Sequence, residues 1–263
     1  MLPYIYVFGI KISMYALSTL IGVALSLIYL KLQTRRDPAG EADCQLCLVY
    51  SLVGAAAGAK LLYLFTRFDE FISEFPYLFS VPALFLQKYL YGGFVFYGGL
   101  FGCLLASWLF CRAVRRNWFE MLRVLMPIFP LIHGFGRLGC FCAGCCYGVE
   151  TASALGVVFH HSEYAPNGIP LLPVQLMEAF GEFVLFGLTA AASARRWEGR
   201  VILGLYLIAY SILRFILEFY RGDDYRGFIG VLSISQLIAL LAALLGLILL
   251  LLRSRKAPEP DAL

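Results

Sequence analysis

The chain has 263 residues, of which 61% are hydrophobic and 14% charged, with a mean hydropathy of +0.79 and a formal net charge of +4. That much apolar surface exceeds what the core of a soluble globular domain hides, so composition alone indicates a membrane protein. The basic residues fall in short clusters between apolar runs and not along one face, which excludes a nucleic-acid footprint.

Apolar stretches of about twenty residues, the length that crosses roughly 30 Å of hydrocarbon, fall at about 10–30, 48–66, 93–111, 118–136, 174–193, 201–220 and 229–252. Lys and Arg beside span ends stay on the cytoplasmic side. Lys31, Arg35 and Arg36 follow the first stretch; Arg112, Arg115, Arg116 and Arg123 join the third to the fourth; Arg195, Arg196 and Arg200 join the fifth to the sixth; Arg253, Arg255 and Lys256 follow the seventh. Together these are 13 of the 21 basic residues, all on one side of a seven-span arrangement. The expected fold is therefore all-α: a polytopic membrane protein of seven transmembrane helices, N-terminus outside and C-terminus cytoplasmic. One domain spans 1–263, with an outer loop or arm at 137–172 and a short disordered tail at 257–263. The first stretch lacks a basic start and a small-residue cleavage site, so it reads as a retained helix and not a signal peptide.

Along the chain, the segment 76–91 is apolar but short and broken by Pro76 and Pro82, which suits a helix lying in the membrane interface. Tyr77, Tyr89 and Tyr91 read there as interfacial anchors. Next, Gly92-Gly93-Phe94-Val95-Phe96-Tyr97-Gly98-Gly99-Leu100-Phe101-Gly102 sets glycines at helical spacing, letting a neighbouring helix or a lipid headgroup approach the backbone. Arg137 then ends the fourth span and Arg214 lies inside the sixth, with Arg221 at its outer end. An ionised side chain within a hydrophobic span is a functional hypothesis by default, and the natural anion at that depth is a phospholipid phosphate. The competing reading is a partner carboxylate: Glu218 is four residues from Arg214 on one helix face, whereas the helix and loop around Arg137 offer few acids. His133, one turn before Arg137, reads as a satisfied helix histidine more readily than as a site residue. His160 and His161, in the outer loop, receive no catalytic role.

These residues carry a family resemblance. The glycine block resembles the Gly-Gly-x-x-Phe-His-Gly-Gly-Leu-x-Gly of bacterial prolipoprotein diacylglyceryl transferases. Gly136-Arg137-Leu138-Gly139-Cys140-Phe141 through Gly148 is similar to their Gly-Arg-x-Gly-Asn-Phe-x-Asn-x-Glu-x-x-Gly. Pro173-Val174-Gln175-Leu176-Met177-Glu178 is similar to Pro-x-Gln-Leu-Tyr-Glu, and Tyr210, Arg214, Glu218 and Arg221 match Tyr-x-x-x-Arg-x-x-x-Glu-x-x-Arg. Met14-Tyr15-Ala16-Leu17 and Ser235-Gln236-Leu237 look like the family's first-helix and last-helix motifs. The order of these matches extends the resemblance over nearly the whole chain.

The resemblance implies a multi-pass enzyme of the bacterial cytoplasmic (inner) membrane. It would move a diacylglyceryl group from phosphatidylglycerol to the lipobox cysteine thiol at a prolipoprotein signal peptide, giving a thioether and glycerol phosphate. Arg137 and Arg214 are the expected catalytic donors, because planar guanidinium forks bind phosphate bidentately and stay charged. Tyr97 stands where the family has a histidine; a phenol is a poor base at neutral pH and a better donor or orienting group. Gly98, Gly99, Gly136 and Gly139 are expected to shape the headgroup pocket, and Tyr15, Gln175, Glu178, Tyr210, Glu218 and Arg221 to complete its polar lining. The partners are then the bilayer, phosphatidylglycerol and the prolipoprotein, with no nucleic acid, cofactor or metal.

The chain departs from the family's pattern at Cys140, Ala143 and Cys145, which replace Asn, Asn and Glu, and at Lys60, which replaces the usual Arg. Cys44 and Cys47 are placed on the inner side and Cys140, Cys142, Cys145 and Cys146 on the outer, so the two groups share no metal ion. The outer cysteines are open to reading as small polarizable fillers, disulfides, or carrier thiols. They keep two alternatives in view: a related lipid-group transferase with a different acceptor, and a membrane thiol–disulfide oxidoreductase using Cys140–Cys146. A non-catalytic lipid-binding scaffold is a third.

Overall fold

A computed structural model describes residues 3–7, 10–35, 38–91, 95–223 and 227–252, with backbone alone at 7, 10, 38, 39, 91, 96 and 97. The tail at 257–263 lies outside the described residues. The order is β1 (Tyr4–Val7), β2 (Ile10–Ser13), α1 (Met14–Thr34), α2 (Pro38–Thr66), α3 (Phe68–Glu74), α4 (Tyr77–Ser80), α5 (Pro82–Leu86), a π-helical turn (Gln87–Tyr91) and α6 (Phe96–Ala113). It continues with α7 (Trp118–Leu125), α8 (Ile128–Ala143), β3 (Val157–Val158), β4 (Pro170–Leu171), α9 (Val174–Ala194), α10 (Gly199–Glu218), β5 (Phe228–Ile229), β6 (Leu232–Ser233) and α11 (Ile234–Leu251). The molecule is mainly helical, and its strands form three small antiparallel pairs.

Among the described residues five helices are long and apolar enough to cross a membrane: α1, the Gly40–Thr66 stretch of α2, α9, α10 and α11. A sixth crossing results if α7 and α8, bent by 42° at their junction, count as one. The bend sits at Pro127, which lacks the N–H that would continue the helical ladder. The described part of α6, Gly98–Ala113, is apolar but shorter than a full span. Several boundaries differ from expectation: α2 begins at Pro38 and not near 48, and α11 begins at Ile234 and not near 229. The first helix begins at Met14 and not near residue 10, because Ile10–Ser13 pairs with Tyr4–Val7 as a hairpin. The fourth runs on to Ala143, so the outer loop starts at Gly144 and not at 137; Gly144 adopts φ +79°, and its N–H closes on the Cys140 carbonyl at 2.8 Å, the left-handed stop common at helix ends.

The chain forms two compact units, Met1–Gln33 with Leu122–Leu263, and Thr34–Met121. In the first, α9 turns Gln175, Glu178, Glu182, Thr189 and Ser193 inward on one face, while Phe180 (71% exposed) and Leu188 (62%) face outward. Polar inside and apolar outside inverts the pattern of a soluble helix and suits one in lipid. In the second unit, α2 and α6 cross antiparallel at Gly54, Gly58, Gly98 and Gly102, where a Cβ at Gly58 or Gly98 would run into the opposing backbone. Tyr89 is buried among Phe71 and Phe85 and donates its hydroxyl to Glu74 at 2.9 Å, so it is a packing residue and not the anchor expected. Tyr77 is exposed, and the Tyr91 side chain lies outside the described residues. Lys88 bonds Glu70 at 2.6 Å and Glu74 at 2.7 Å, which holds both carboxyls below their usual range.

Candidate active site

In the first unit, Arg137 of α8 and Arg214 of α10 meet on one carboxylate. Arg137 Nη2 lies 3.0 Å from Glu178 Oε1, and Arg214 Nη1 lies 3.3 Å from Glu178 Oε2. The Tyr210 hydroxyl donates to Glu178 Oε1 at 3.1 Å. Arg214 Nη2 also reaches Glu218 Oε2 at 2.9 Å and donates to Ser235 Oγ at 3.2 Å. The helix-face pair with Glu218 is thus present. It does not occupy Arg214 alone, because Glu178 bridges to Arg137 from a third helix. Glu178 is 1% exposed, a depth at which a carboxylate persists only when paired and hydrogen-bonded.

Two like charges held against one acid is what distinguishes this cluster from a set of separate ion pairs. Each guanidinium carries five N–H donors, and the Arg137 Nε is buried with no hydrogen-bond partner among the described residues. The arrangement therefore retains donor capacity for an entering anion with several oxygens.

A second polar layer lies one turn along the same helices. His133, Glu182 and Tyr206 each stand four residues from Arg137, Glu178 and Tyr210, about 6 Å along the helix axis. His133 Nδ1 is 2.5 Å from Glu182 Oε1, and the Tyr206 hydroxyl is 3.4 Å from Glu182 Oε2. Tyr206 and Tyr210 stack with centroids 5.9 Å apart, and His133 meets Tyr210 edge-on. His133 is therefore the satisfied helix histidine of the sequence reading. Glu182 was missed there, although an acid one turn after Glu178 on an apolar helix carries the same signal.

The other expected residues distribute around this core. Gly139 allows α1 to approach α8: a Cβ there would lie 2.8 Å from the Tyr15 Cα. Gly136 borders open space. Gln175 is buried and donates to the Cys145 carbonyl at 2.8 Å, while its Oε1 has no partner among the described residues. Arg221 donates to Asp223 at 2.8 and 2.5 Å. Gly98 and Gly99 belong to the second unit, both facing α2, and the Tyr97 side chain lies outside the described residues.

The cysteines resolve into different environments. Cys44 and Cys47 are buried, and the Cys44 thiol lies 3.4 Å from the Met121 sulfur. Cys140, Cys145 and Cys146 converge, their sulfur atoms all within 4.8 Å of one another. Hydrogen bonds from Cys140 and Cys145, and then the charges of Arg137 and Arg221, hold the Cys146 thiol well below its usual range. Bonds with Cys140 and Cys146 and burial push Cys145 up.

The sequence model of the family described as prolipoprotein diacylglyceryl transferase matches residues 3–252. A phosphatidylglycerol–prolipoprotein diacylglyceryl transferase of Clostridium tetani is 35% identical over 243 residues, covering 91% of this chain and 92% of that protein. One from Clostridium perfringens, numbered 2 in its name, is 32% identical over 92% of this chain and 91% of its own length. Another, from Rickettsia bellii, is 30% identical over 95% of this chain and 94% of its own length.

Proposed function

This chain belongs to the prolipoprotein diacylglyceryl transferase family, and we propose on that footing that it moves a diacylglyceryl group from phosphatidylglycerol to the thiol of a prolipoprotein lipobox cysteine. The thiolate attacks the glyceryl carbon bearing the phosphate ester. A C–S bond forms, the C–O bond breaks, and the electron pair leaves with the phosphate oxygen of glycerol phosphate. Negative charge grows on that oxygen, so donors aimed at it accelerate the step. The observation that carries the reading is the pairing of Arg137 and Arg214 on the single buried carboxylate of Glu178. A phosphate offers the same two-oxygen edge that Glu178 presents, with a further oxygen for the unused Arg137 Nε.

In this reading Tyr15, Gly136, Gly139, Gln175, Tyr210, Glu218 and Arg221 surround the headgroup; separately, we propose that Tyr97, beside Gly98 and Gly99, orients or donates in place of the motif histidine. The Glu178 and Arg214 helices also border an apolar groove lined by Leu155, Val157, Leu172, Met177, Phe180 and Leu213, suited to an acyl chain. The chain acts as one domain of seven spans in the bacterial cytoplasmic membrane, N-terminus outside and C-terminus inside. The oxidoreductase and scaffold readings are set aside, since the relatives are transferases by name.

The test is complementation of a bacterium depleted of its own transferase, with diacylglyceryl-cysteine on a reporter lipoprotein read by mass spectrometry. Arg137→Ala and Arg214→Ala are each expected to lower transfer about 100-fold or more, the size of losing a donor to developing charge. Near-normal lipidation by both variants would sink the proposal.

A further inference from the structure

The three convergent thiols occupy a turn that is built to hold them together. Cys146 adopts φ +57° and Gly144 φ +79°. The left-handed region is strained for a non-glycine residue, and such strain gathers where a ligand is clamped. Here it folds adjacent side chains, Cys145 and Cys146, toward the same partner, Cys140, so that the three sulfur atoms all lie within 4.8 Å of one another. The turn is fixed from both sides. Gln175 holds the Cys145 carbonyl, Val149 N donates to the Tyr220 carbonyl at 2.9 Å, and Gly222 N donates to the Tyr147 carbonyl at 3.0 Å.

A disulfide would use two of these sulfurs and leave the third beside it. Three sulfurs in a triangle match a different ligand. With metal–sulfur bonds of about 2.3 Å, tetrahedral geometry sets sulfurs ~3.8 Å apart, and the separations of at most 4.8 Å approach that spacing. Three thiolates on a divalent ion leave one net negative charge. The sequence reading expected no metal, because neither the meeting of vicinal cysteines nor their distance to Cys140 is visible in spacing alone.

We propose that Cys140, Cys145 and Cys146 bind one thiophilic cation of the zinc class, and that its open fourth position takes the acceptor thiol. This rests on the transferase reading above. A coordinated thiol is deprotonated outright, and metal coordination is one of the ways a nucleophile is activated. The acceptor S–H would lose its proton to water on binding, and the metal-held sulfur would then form the C–S bond as the C–O bond to phosphate breaks. The site thereby supplies the activation that a phenol at Tyr97 does not.

The experiment uses full-length protein, reduced and reconstituted in phosphatidylglycerol nanodiscs, with Cd²⁺ and Zn²⁺ as probes. Thiolate-to-cadmium charge-transfer absorption should saturate at one ion per chain. Cys145→Ser and Cys140→Ser should weaken binding at least about 100-fold, since each removes one of three thiolates, and Cys142→Ser should leave it intact. In transfer assays Cys145→Ser should shift the rate profile toward alkaline pH, where an unassisted thiol of pKa about 8.5 ionises by itself. Absence of stoichiometric binding, binding indifferent to Cys145→Ser, a disulfide among the three in protein isolated without reductant, or an unshifted profile would each overturn the proposal. Lack of transfer by the unaltered protein, with metal binding intact, would instead condemn the transferase reading and with it the thiol role.

Discussion

Glu178 decides the electrostatics of the buried cluster, because it is the one carboxylate that both Arg137 and Arg214 touch. Removing one partner of a buried ion pair costs about 3–5 kcal/mol, mostly through the uncompensated charge left behind. Glu178→Gln keeps the side chain's shape and the Tyr210 contact while removing the carboxylate that Arg137 pairs with and leaving Arg214 with Glu218. The variant should therefore unfold at a lower temperature than the unaltered protein in neutral detergent. Phosphatidylglycerol should recover more of that loss than an uncharged, phosphate-free diacylglyceryl glycoside does, because its phosphate supplies the missing negative charge and binding to the folded state stabilises it. Thermal midpoints in the two lipids measure this; equal recovery by both would show that no headgroup phosphate reaches the arginines. The neighbouring pair His133 and Glu182 should be insensitive to the lipid, since the two side chains are partnered within their own layer.

At the scale of elements, the glycines separate into those that close helix crossings and those that border open space. A Cβ at Gly58 would meet the Gly102 Cα at 2.9 Å, and the gap is bounded by backbone, which cannot rotate away. Gly58→Val is therefore expected to destabilise the α2–α6 pair by about 1–3 kcal/mol, the usual cost of overpacking, whereas Gly136→Ala meets nothing within 4 Å and should fold normally. Heat-induced aggregation of the two variants is the measurement, and equal midpoints would contradict the crossing. Such crossings were legible in the sequence as small residues at helical spacing, and the spans were legible because lipid demands long apolar runs. Helix ends were less so: the β1–β2 hairpin is apolar enough to read as span, and α8 runs past Arg137 until Gly144 stops it. The arginines announced themselves by their depth, but the acid that joins them did not, since Glu178 lies 41 residues from Arg137 and 36 from Arg214. The cysteine triangle was illegible because it depends on the backbone of Cys146.

For the whole molecule, charge placement and surface polarity make independent demands that agree. The exposed faces of α9 and α11 are apolar, with Phe180, Leu188, Leu241 and Leu244 all outward, so these helices require lipid around them. Thirteen of the 21 basic residues cluster at span ends on one side of the proposed seven-span arrangement, and such clusters resist translocation. The loop after Gly144 would then face outward, together with the Arg221 end of α10, which pairs with it through Gly148. A protease site inserted between Ala152 and Leu155, where the backbone is exposed, tests the orientation without cutting any helix. External protease should cleave it in intact spheroplasts, and a fluorescent protein that matures only in the cytoplasm should light up when fused after Leu263. Cleavage confined to inverted vesicles would reverse the orientation. It would also place the arginine cluster's open loop on the cytoplasmic face, where a secreted precursor meets the enzyme before crossing the membrane and not after.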